Sequence, residues 1–376
     1  MTLKLRSISL REIQMPLLEP FRISSGTASL RRILLLETMD VDGVTAWSEC
    51  VAGEKPYYSP ETVDTAWLAI KQWIAPRVLN KPISSPSIIH QDLDTSLRGH
   101  RMAKAAVEMS IWGLTAERER VSLVSLIGGS RHKVATGISI GIQKTPQQLL
   151  EKIREALGKG YRKVKVKVQP GADLDYLESV RAALGQDAPL MADANSAYTT
   201  ADFDHLTKFD QFNLMMIEQP LACDDLVRHA DLQRQLTTPL CLDESITDVD
   251  RADDMLRLGS GRIVNIKAGR VGGLATAQAI HDRCASAGVP VWCGGMLESG
   301  IGRAYNVALA SLPNFTLPGD ISPSSRYWKQ DIVSPEWTMD TAGLLTVPHE
   351  SPGIGVAVDR DYVDSLTVRS EILTAD

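Results

Sequence analysis

Lys163-Val164-Lys165-Val166-Lys167 is the stretch of this 376-residue sequence that decides the fold. It has the period-two alternation of a β-strand, and it lies in a region where short β-prone runs alternate with helical patterns. The β-prone runs are Ala135–Ile142, Lys163–Val168, Leu190–Ala194, Leu214–Glu218, Leu240–Asp243, Ile263–Lys267, Val289–Cys293 and, more weakly, Phe315–Pro318. Seven or eight strand–helix units in a row predict a parallel sheet closed into an α/β barrel.

The residues on either side of this region have other patterns. Leu3–Met15 alternates, Asp42-Gly43 is a hairpin signal, and Arg101–Glu119 has one apolar helix face. After about Ser322 the strand–helix rhythm ends. We therefore expect three parts: an N-terminal α+β module in residues 1–130, a barrel that carries the catalytic residues in 131–322, and a C-terminal segment that returns to the first module in 323–376.

Charged residues recur near the C-terminal ends of the predicted barrel strands, where a strand buried on both faces should be apolar. Lys167 is followed 26 residues later by Asp193, and Glu218, Asp243 and Lys267 follow after 25, 25 and 24 residues. Active sites of (β/α) barrels are built at this end of the strands. Structural ion pairs account for single buried charges better than for five in register, so we expect these five side chains to share one site.

The residue types favour one kind of chemistry. Asp193, Glu218 and Asp243 are hard oxygen ligands with no His or Cys at matching positions, which suits Mg²⁺ or Mn²⁺. Lys167 and Lys267 flank the carboxylates, and a nearby cation such as Lys165 makes a lysine a better base. Together they predict removal of a proton α to a carboxylate, through a metal-stabilised enediolate.

Composition excludes several classes of protein. The formal charge is −6, with 40 Lys+Arg against 46 Asp+Glu. The sequence lacks the basic stripe that would indicate nucleic-acid binding. No apolar run reaches the ~18 residues of a membrane span. The N-terminus lacks a signal-peptide pattern, and five widely spaced cysteines are typical of reduced thiols. We expect a cytoplasmic enzyme that acts on a small molecule.

Several motifs resemble the enolase superfamily, in its muconate-lactonizing-enzyme-like branch. They are Lys165-Val-Lys167, Met191-Ala-Asp193-Ala-Asn195, Ile217-Glu218-Gln219-Pro220, Leu242-Asp243-Glu244-Ser245 and Lys267-Ala-Gly-Arg270-Val-Gly-Gly273. Within that branch, Gly294–Gly302, Asn306–Asp320 and Pro20-Phe21-Arg22 with Gly26-Thr27 are similar to the o-succinylbenzoate synthase / N-succinylamino acid racemase subfamily. Ser25 departs from the pattern, because an aromatic residue is expected there, and this bears on the fit to the substrate's distal end.

The resemblance implies a TIM-like (β/α)₇β barrel with an α+β capping domain. It implies Mg²⁺ on Asp193, Glu218 and Asp243, and it makes Lys167 and Lys267 the acid/base residues on opposite faces of the substrate. It also implies a substrate site lined by Ser139, Asn195, Gly295 and Met296 and closed from the cap by Phe21. The substrate would be a carboxylate with a succinyl group, and we expect a homo-oligomer.

Two reactions of succinyl-bearing carboxylates fit this set of residues. The leading one is dehydration to o-succinylbenzoate, a menaquinone-pathway step, and the close alternative is racemisation of N-succinyl or other N-acyl amino acids. A dipeptide epimerase or a muconate cycloisomerase uses the same lysine pair, but the Gly294–Asp320 stretch does not suit them. The non-enzyme alternative is an inactive binding homologue, which would be expected to lack a ligand or a lysine.

Arg270 stands three residues beyond Lys267. One hypothesis is that its guanidinium lowers the pKa of Lys267 by like-charge repulsion, which would matter more to racemisation than to dehydration. The alternative is that Arg270 pairs with a neighbouring carboxylate and holds the loop. Lys163 and Glu244 are assigned no role.

Overall fold

The computed structural model describes residues 3–23 and 26–375, so Ser25 lies outside the described residues. The N-terminal module begins with three antiparallel strands, β1 (Leu3–Ile23), β2 (Gly26–Asp40) and β3 (Thr45–Cys50). The predicted hairpin at Asp42-Gly43 joins β2 to β3. The remaining elements are α1 (Val63–Ala69), a π-helical turn (Ile70–Ile74), α2 (Ala75–Val78), β4 (Pro82–Ile83), α3 (Pro86–Ser96), α4 (Arg101–Glu119) and α5 (Leu123–Leu126).

The second region alternates strands and helices, as the sequence pattern predicts. Its first half contains β5 (Lys133–Ala135), β6 (Gly137–Ile140), α6 (Pro146–Gly158), β7 (Lys163–Lys167), α7 (Leu174–Leu184), β8 (Leu190–Asp193), a 3₁₀ turn (Thr200–Asp202), α8 (Phe203–Leu206) and a second 3₁₀ turn (Thr207–Phe212). Its second half contains β9 (Ile217–Glu218), α9 (Leu226–Gln233), β10 (Leu240–Leu242), α10 (Val249–Leu258), β11 (Ile263–Ile266), α11 (Ala268–Val271), α12 (Leu274–Ser286), β12 (Val291–Cys293) and α13 (Gly300–Ala310).

The seven strands β6 to β12 form one parallel sheet in sequence order. Strand β7 shows why it forms: Val164 and Val166 pack in an apolar layer with residues of α6 and α7, while the lysines between them face the barrel interior. The weak eighth run, Phe315–Pro318, is not a strand. Instead, Gly319 bridges to Thr136 before β6, and Asp320 N donates to the carbonyl of Cys293 at the end of β12 at 2.8 Å. This short irregular segment closes the barrel, and the predicted α/β TIM-like barrel with a capping domain is confirmed.

The C-terminal residues contact both regions. They form a 3₁₀ turn (Ser324–Arg326), β13 (Val333–Ser334), β14 (Leu344–Thr346), β15 (Ala357–Val358), α14 (Arg360–Leu366) and β16 (Thr367–Thr374). Strand β16 pairs with β1 in the N-terminal sheet, whereas β14 pairs with β5 at the start of the barrel region. Across the ranges the structure describes, we find no helix whose length and apolar character would suit a membrane crossing.

Helix α4 is a main contact between the cap and the barrel. Its buried residues pack against β3 on one side and against α11 on the other. Glu108 of α4 accepts hydrogen bonds from the backbone N–H groups of Leu274 and Ala275, both at 2.9 Å, and so caps the N-terminus of α12. A Cβ at Gly273, where φ is +134°, would lie 2.4 Å from the Glu108 carboxylate. Only glycine fits this approach of the cap to the barrel.

Candidate active site

The lysines of β7 form a ladder inside the barrel. Lys163 is fully buried, with its Nζ 3.2 Å from the centre of the Trp292 ring and 3.3 Å from Asp320 Oδ1. Lys165 Nζ lies 2.7 Å from Asp320 Oδ2 and 3.1 Å from both Asp193 Oδ2 and Glu218 Oε2. Asp320 therefore anchors two neighbouring lysines, and its pKa falls to about 2 because their charges outweigh the effect of burial.

Lys167 reaches the mouth of the barrel on one side of the site. Its Nζ contacts Asp193 Oδ2 at 2.5 Å and donates to Asn195 Oδ1 at 2.6 Å. Asn195 Nδ2 in turn donates to Glu244 Oε1 at 2.9 Å. Asn195 has a positive φ of +43°, a left-handed conformation that asparagine tolerates better than most residues. This side of the site is built from barrel residues.

Lys267 lies at the end of β11 and contacts both the barrel and the cap. Its Nζ is 2.8 Å from Asp243 Oδ2 and 3.1 Å from the hydroxyl of Tyr58, a residue of the N-terminal module. The Tyr58 hydroxyl donates to Asp243 Oδ1 at 2.8 Å. Arg270 also forms an ion pair with Asp243 and donates to the carbonyl of Ile246 at 2.8 Å.

Arg270 thus makes the carboxylate pairing that was the alternative to a tuning role. Burial lowers the pKa of Lys267 and the charge of Asp243 raises it, with the net result above the ordinary value for lysine. Arg270 contributes in the lowering direction, as like-charge repulsion requires. Arg270 therefore shares the Asp243 carboxylate with Lys267 and also repels the Lys267 ammonium directly.

The two lysines lie across the barrel from each other. Strands β7 and β11 are four positions apart in the sheet, and in a barrel closed by an eighth segment four positions is half the circumference. Lys167 and Lys267 both line a cavity of 330 Å³ between barrel and cap. A molecule in this cavity would be exposed to one ammonium group on each side.

The predicted substrate residues line the same cavity. Ser139, Asn195, Gly295 and Met296 contribute from the barrel, and Phe21 contributes from the cap. Ser139 Oγ is buried and has no hydrogen-bond partner in the described part of the chain, so a bound substrate atom would satisfy it. The three predicted metal ligands contact the lysines of the site, and Arg270 contacts one of these ligands, Asp243.

The three carboxylates occupy neighbouring strands. Asp193 is the register partner of Glu218, and Asp243 follows β10, the next strand of the sheet. Their oxygens pair with lysine, arginine, tyrosine and Asn265, and over residues 3–23 and 26–375 we find no preformed cluster of three or more metal-ligating side chains. Burial and the charges of Asp193 and Asp243 raise the pKa of Glu218 to about 8. A divalent cation would relieve this repulsion, so the set fits Mg²⁺.

Some residues of the site are absent from the sequence prediction. Asp320 contacts Lys165, and Asn265 donates to Glu218. Asn265 lies on β11, two residues before Lys267 and so on the same strand face, which is a signal that the sequence contains. Asp320 lies in the irregular segment that closes the barrel, where no strand pattern marks it. Tyr58 comes from an irregular stretch of the cap that shows no periodic pattern, so sequence reasoning had no means of finding it.

Both halves of the sequence match known families. Residues 6–128 match the mandelate racemase / muconate lactonizing enzyme N-terminal domain, and residues 148–362 match the family described as enolase C-terminal domain-like. The chain belongs to the enolase superfamily. An enolase-superfamily structure from Listeria innocua superimposes with a TM-score of 0.95 at 38% identity, covering 100% of both chains.

The enolase-superfamily relatives include two kinds of enzyme. An o-succinylbenzoate synthase from Geobacillus kaustophilus is 50% identical over 98% of this chain and 97% of its own length. An N-succinylamino acid racemase from Amycolatopsis sp. is 44% identical over 97% of this chain and 98% of its own length. The predicted superfamily, its synthase/racemase subfamily and the enzyme class are confirmed.

Proposed function

We propose that this protein is a Mg²⁺-dependent enzyme whose main reaction is the dehydration that forms o-succinylbenzoate. The observation that carries the proposal is the pair of lysines, Lys167 and Lys267, on opposite sides of one cavity and in contact with buried carboxylates. The Geobacillus synthase, at 50% identity, supports dehydration as the main reaction.

Asp193, Glu218 and Asp243 are the residues that would hold the metal. Magnesium dependence is typical of the superfamily. A bound ion would supply positive charge that stabilises the substrate carboxylate as negative charge develops on it. We expect Ser139, Asn195, Gly295 and Met296 to orient the substrate carboxylate and its succinyl group. Phe21 covers the cavity from the cap and limits access of water.

The two lysines have separate tasks. In dehydration, the neutral amine form of Lys167 takes the proton α to the carboxylate. The ammonium group that results delivers this proton to the hydroxyl group on the same face, which leaves as water. Lys267 stays protonated and stabilises the negative charge from the opposite face. The ordinary lysine pKa of about 10.4 and the contact with Asp243 both keep Lys267 cationic near neutral pH.

Racemisation of N-succinyl amino acids is the second candidate. It needs one base and one acid on opposite faces of the α carbon, and the placement of β7 and β11 across the barrel supplies them. The Amycolatopsis racemase supports this candidate. One protein can catalyse both reactions, because both use the same residues.

The test is a direct comparison of the two reactions on one Mg²⁺-loaded preparation. We expect turnover of the succinyl-substituted hydroxycyclohexadiene carboxylate with the higher kcat/KM, and slower racemisation of N-succinyl amino acids. A higher kcat/KM for racemisation would reverse the ranking, and no turnover of either substrate would leave the inactive binding homologue as the better account.

We also propose that residues 1–130 form the cap, that 131–322 carry the chemistry, and that 323–376 return to the cap. The pairing of β16 with β1 supports the last assignment. A homo-oligomer stays a prediction, which light scattering coupled to gel filtration would test.

A further inference from the structure

Glu244 is a charged residue of the site without a role in the mechanism above. It follows Asp243 at the end of β10, and its Oε1 accepts a hydrogen bond from Asn195 Nδ2 at 2.9 Å. Its Oε2 is buried and has no partner within the described residues. Removing a carboxylate oxygen from water costs free energy, so a carboxylate kept at this position calls for a functional reason.

The contacts of Asn195 suggest that reason. Its Oδ1 accepts from the ammonium group of Lys167 at 2.6 Å, while its Nδ2 donates to Glu244. An ammonium group only donates hydrogen bonds, and a carboxylate only accepts them. Only one of the two orientations of the amide therefore satisfies both neighbours. With the amide reversed, its NH₂ group would face the Lys167 ammonium and its oxygen would face a carboxylate.

The backbone leaves the Asn195 side chain little other freedom. Asn195 N donates to Asp193 Oδ1 at 3.1 Å, and the next residue, Ser196, donates from its N–H to the carbonyl of Gln219 at 2.8 Å. Both residues have positive φ. The two hydrogen bonds tie this turn to the ends of two neighbouring strands, β8 and β9. Orientation of the amide is the remaining variable, and Glu244 decides it.

We propose that Glu244 is a positioning residue for proton transfer at the Lys167 face. By fixing the amide of Asn195, it holds the Lys167 ammonium in one place beside the cavity. No hydrogen bond or ion pair links Glu244 to Lys267 in the part of the chain that the structure describes. The inference rests on the proposed function, and it predicts an effect on one face of the substrate.

The experiment follows exchange of the α proton of both enantiomers of an N-succinyl amino acid in D₂O by ¹H NMR. Lys167→Ala and Lys267→Ala identify the enantiomer that each lysine serves. Glu244→Leu removes the acceptor, and we expect it to slow exchange at the Lys167 face about tenfold or more relative to the Lys267 face. Glu244→Gln keeps an acceptor oxygen, so it should retain most of the exchange rate at the Lys167 face.

Two further variants separate positioning from a general structural effect. In an Asn195→Ala background, Glu244→Leu should add little, because the residue through which it acts is gone. Asp173→Asn is the matched control: it neutralises a buried carboxylate in the loop after β7 that contacts Tyr198 and His205, each at 2.7 Å, and it should leave the ratio of the two faces unchanged.

The outcomes are distinct. Preferential loss at the Lys167 face with recovery in the Gln variant supports the inference. Equal loss at both faces, or a Gln variant as impaired as the Leu variant together with a higher Mg²⁺ requirement, overturns it in favour of a structural or metal-binding role. If the wild-type protein exchanges neither enantiomer, the inference is overturned, whereas the proposed dehydration stands or falls on its own assay.

Discussion

The two lysines of the site are held by different parts of the molecule. Lys167 contacts Asp193 and Asn195, which belong to the barrel, whereas Lys267 also contacts the Tyr58 hydroxyl from the cap. The barrel alone is therefore sufficient to place the Lys167 ammonium, but the surroundings of Lys267 are complete only when the cap is docked. Changes in the cap should consequently alter chemistry at the Lys267 face more than at the Lys167 face.

The largest expected loss of activity affects the Lys167 face and the Lys267 face equally. Glu218→Gln takes away the central carboxylate of the proposed metal site, so we expect dehydration and exchange at both faces to fall by about a thousandfold or more. The fold should persist, since glutamine can still accept from Asn265. Steady-state assays and circular dichroism measure the two quantities. Full activity after exhaustive EDTA treatment would contradict the metal site.

Lys167→Ala should remove proton transfer at the Lys167 face only. We expect it to abolish dehydration, and to abolish exchange of one enantiomer while the other enantiomer still exchanges through Lys267. Lys163→Met is the control from the same strand face, because Lys163 contacts Asp320 and Trp292 deeper in the barrel. Its activity per folded molecule should stay close to wild type. Identical behaviour of the two variants would mean that the chemistry does not depend on Lys167.

Arg270→Gln probes the Lys267 side from within the barrel. It leaves Asp243 with less positive charge beside it, so we expect exchange at the Lys267 face to slow by about tenfold or more, with smaller losses at the Lys167 face and in dehydration. The measurement is deuterium incorporation by each enantiomer beside the rate of dehydration. Parallel loss of all three rates would assign Arg270 a purely structural role.

Tyr58→Phe probes the same side from the cap. It deletes the hydroxyl that bonds to Asp243 and Lys267 but keeps the ring, whose centre lies 4.3 Å from the Lys267 ammonium. We expect a loss of about three- to tenfold at the Lys267 face, and little change at the Lys167 face. Leu30→Ala, at a cavity-lining cap position, is a control for a general effect of altering the cap. An unchanged ratio of the two faces in Tyr58→Phe would show that the cap does not position Lys267.

The smallest expected effect on activity concerns docking of the cap itself. Burial raises the pKa of Glu108, which caps α12, to about 7. For a carboxyl group with a raised folded-state pKa, the stabilisation is complete below its ordinary pKa of about 4.5 and is lost as the pH rises to about 7. The free energy of unfolding should therefore contain a decrease of about 3 kcal/mol over this interval at 25 °C. Urea titrations at several pH values should show a flatter profile for Glu108→Gln.

Much of the barrel could be predicted because its signals are local and repeated. Strand β7, for example, begins at the predicted Lys163 and ends one residue before the predicted Val168. Other strands are much shorter than predicted: the run Leu214–Glu218 contributes only Ile217–Glu218 to the sheet. A β-prone run reports apolar character, whereas the strand that forms depends on which backbone groups meet a neighbour in a tilted barrel.

The candidate site could be predicted from the sequence to the same degree. Lysines and carboxylates at one phase of successive strands predict convergence, since parallel strands end at one edge of the barrel. Contacts that depend on side-chain geometry could not be predicted. The pairing of Asn195 with Glu244 joins loops 49 residues apart, and Tyr58 approaches from another module. No local pattern encodes such encounters, because they follow from how the modules dock.

The segment that closes the barrel also determines when the site can form during folding. Thr136 pairs with Gly319, 183 positions later, and the neighbouring Asp320 carries the carboxylate for Lys163 and Lys165. A chain emerging from the ribosome therefore makes β7 long before the partner of its inward-facing lysines exists. Until that late, long-range contact forms, two ammonium groups oppose burial of the barrel interior. Assembly of the catalytic centre and completion of the barrel are thus a single event, and a chain that stops short of Asp320 has neither.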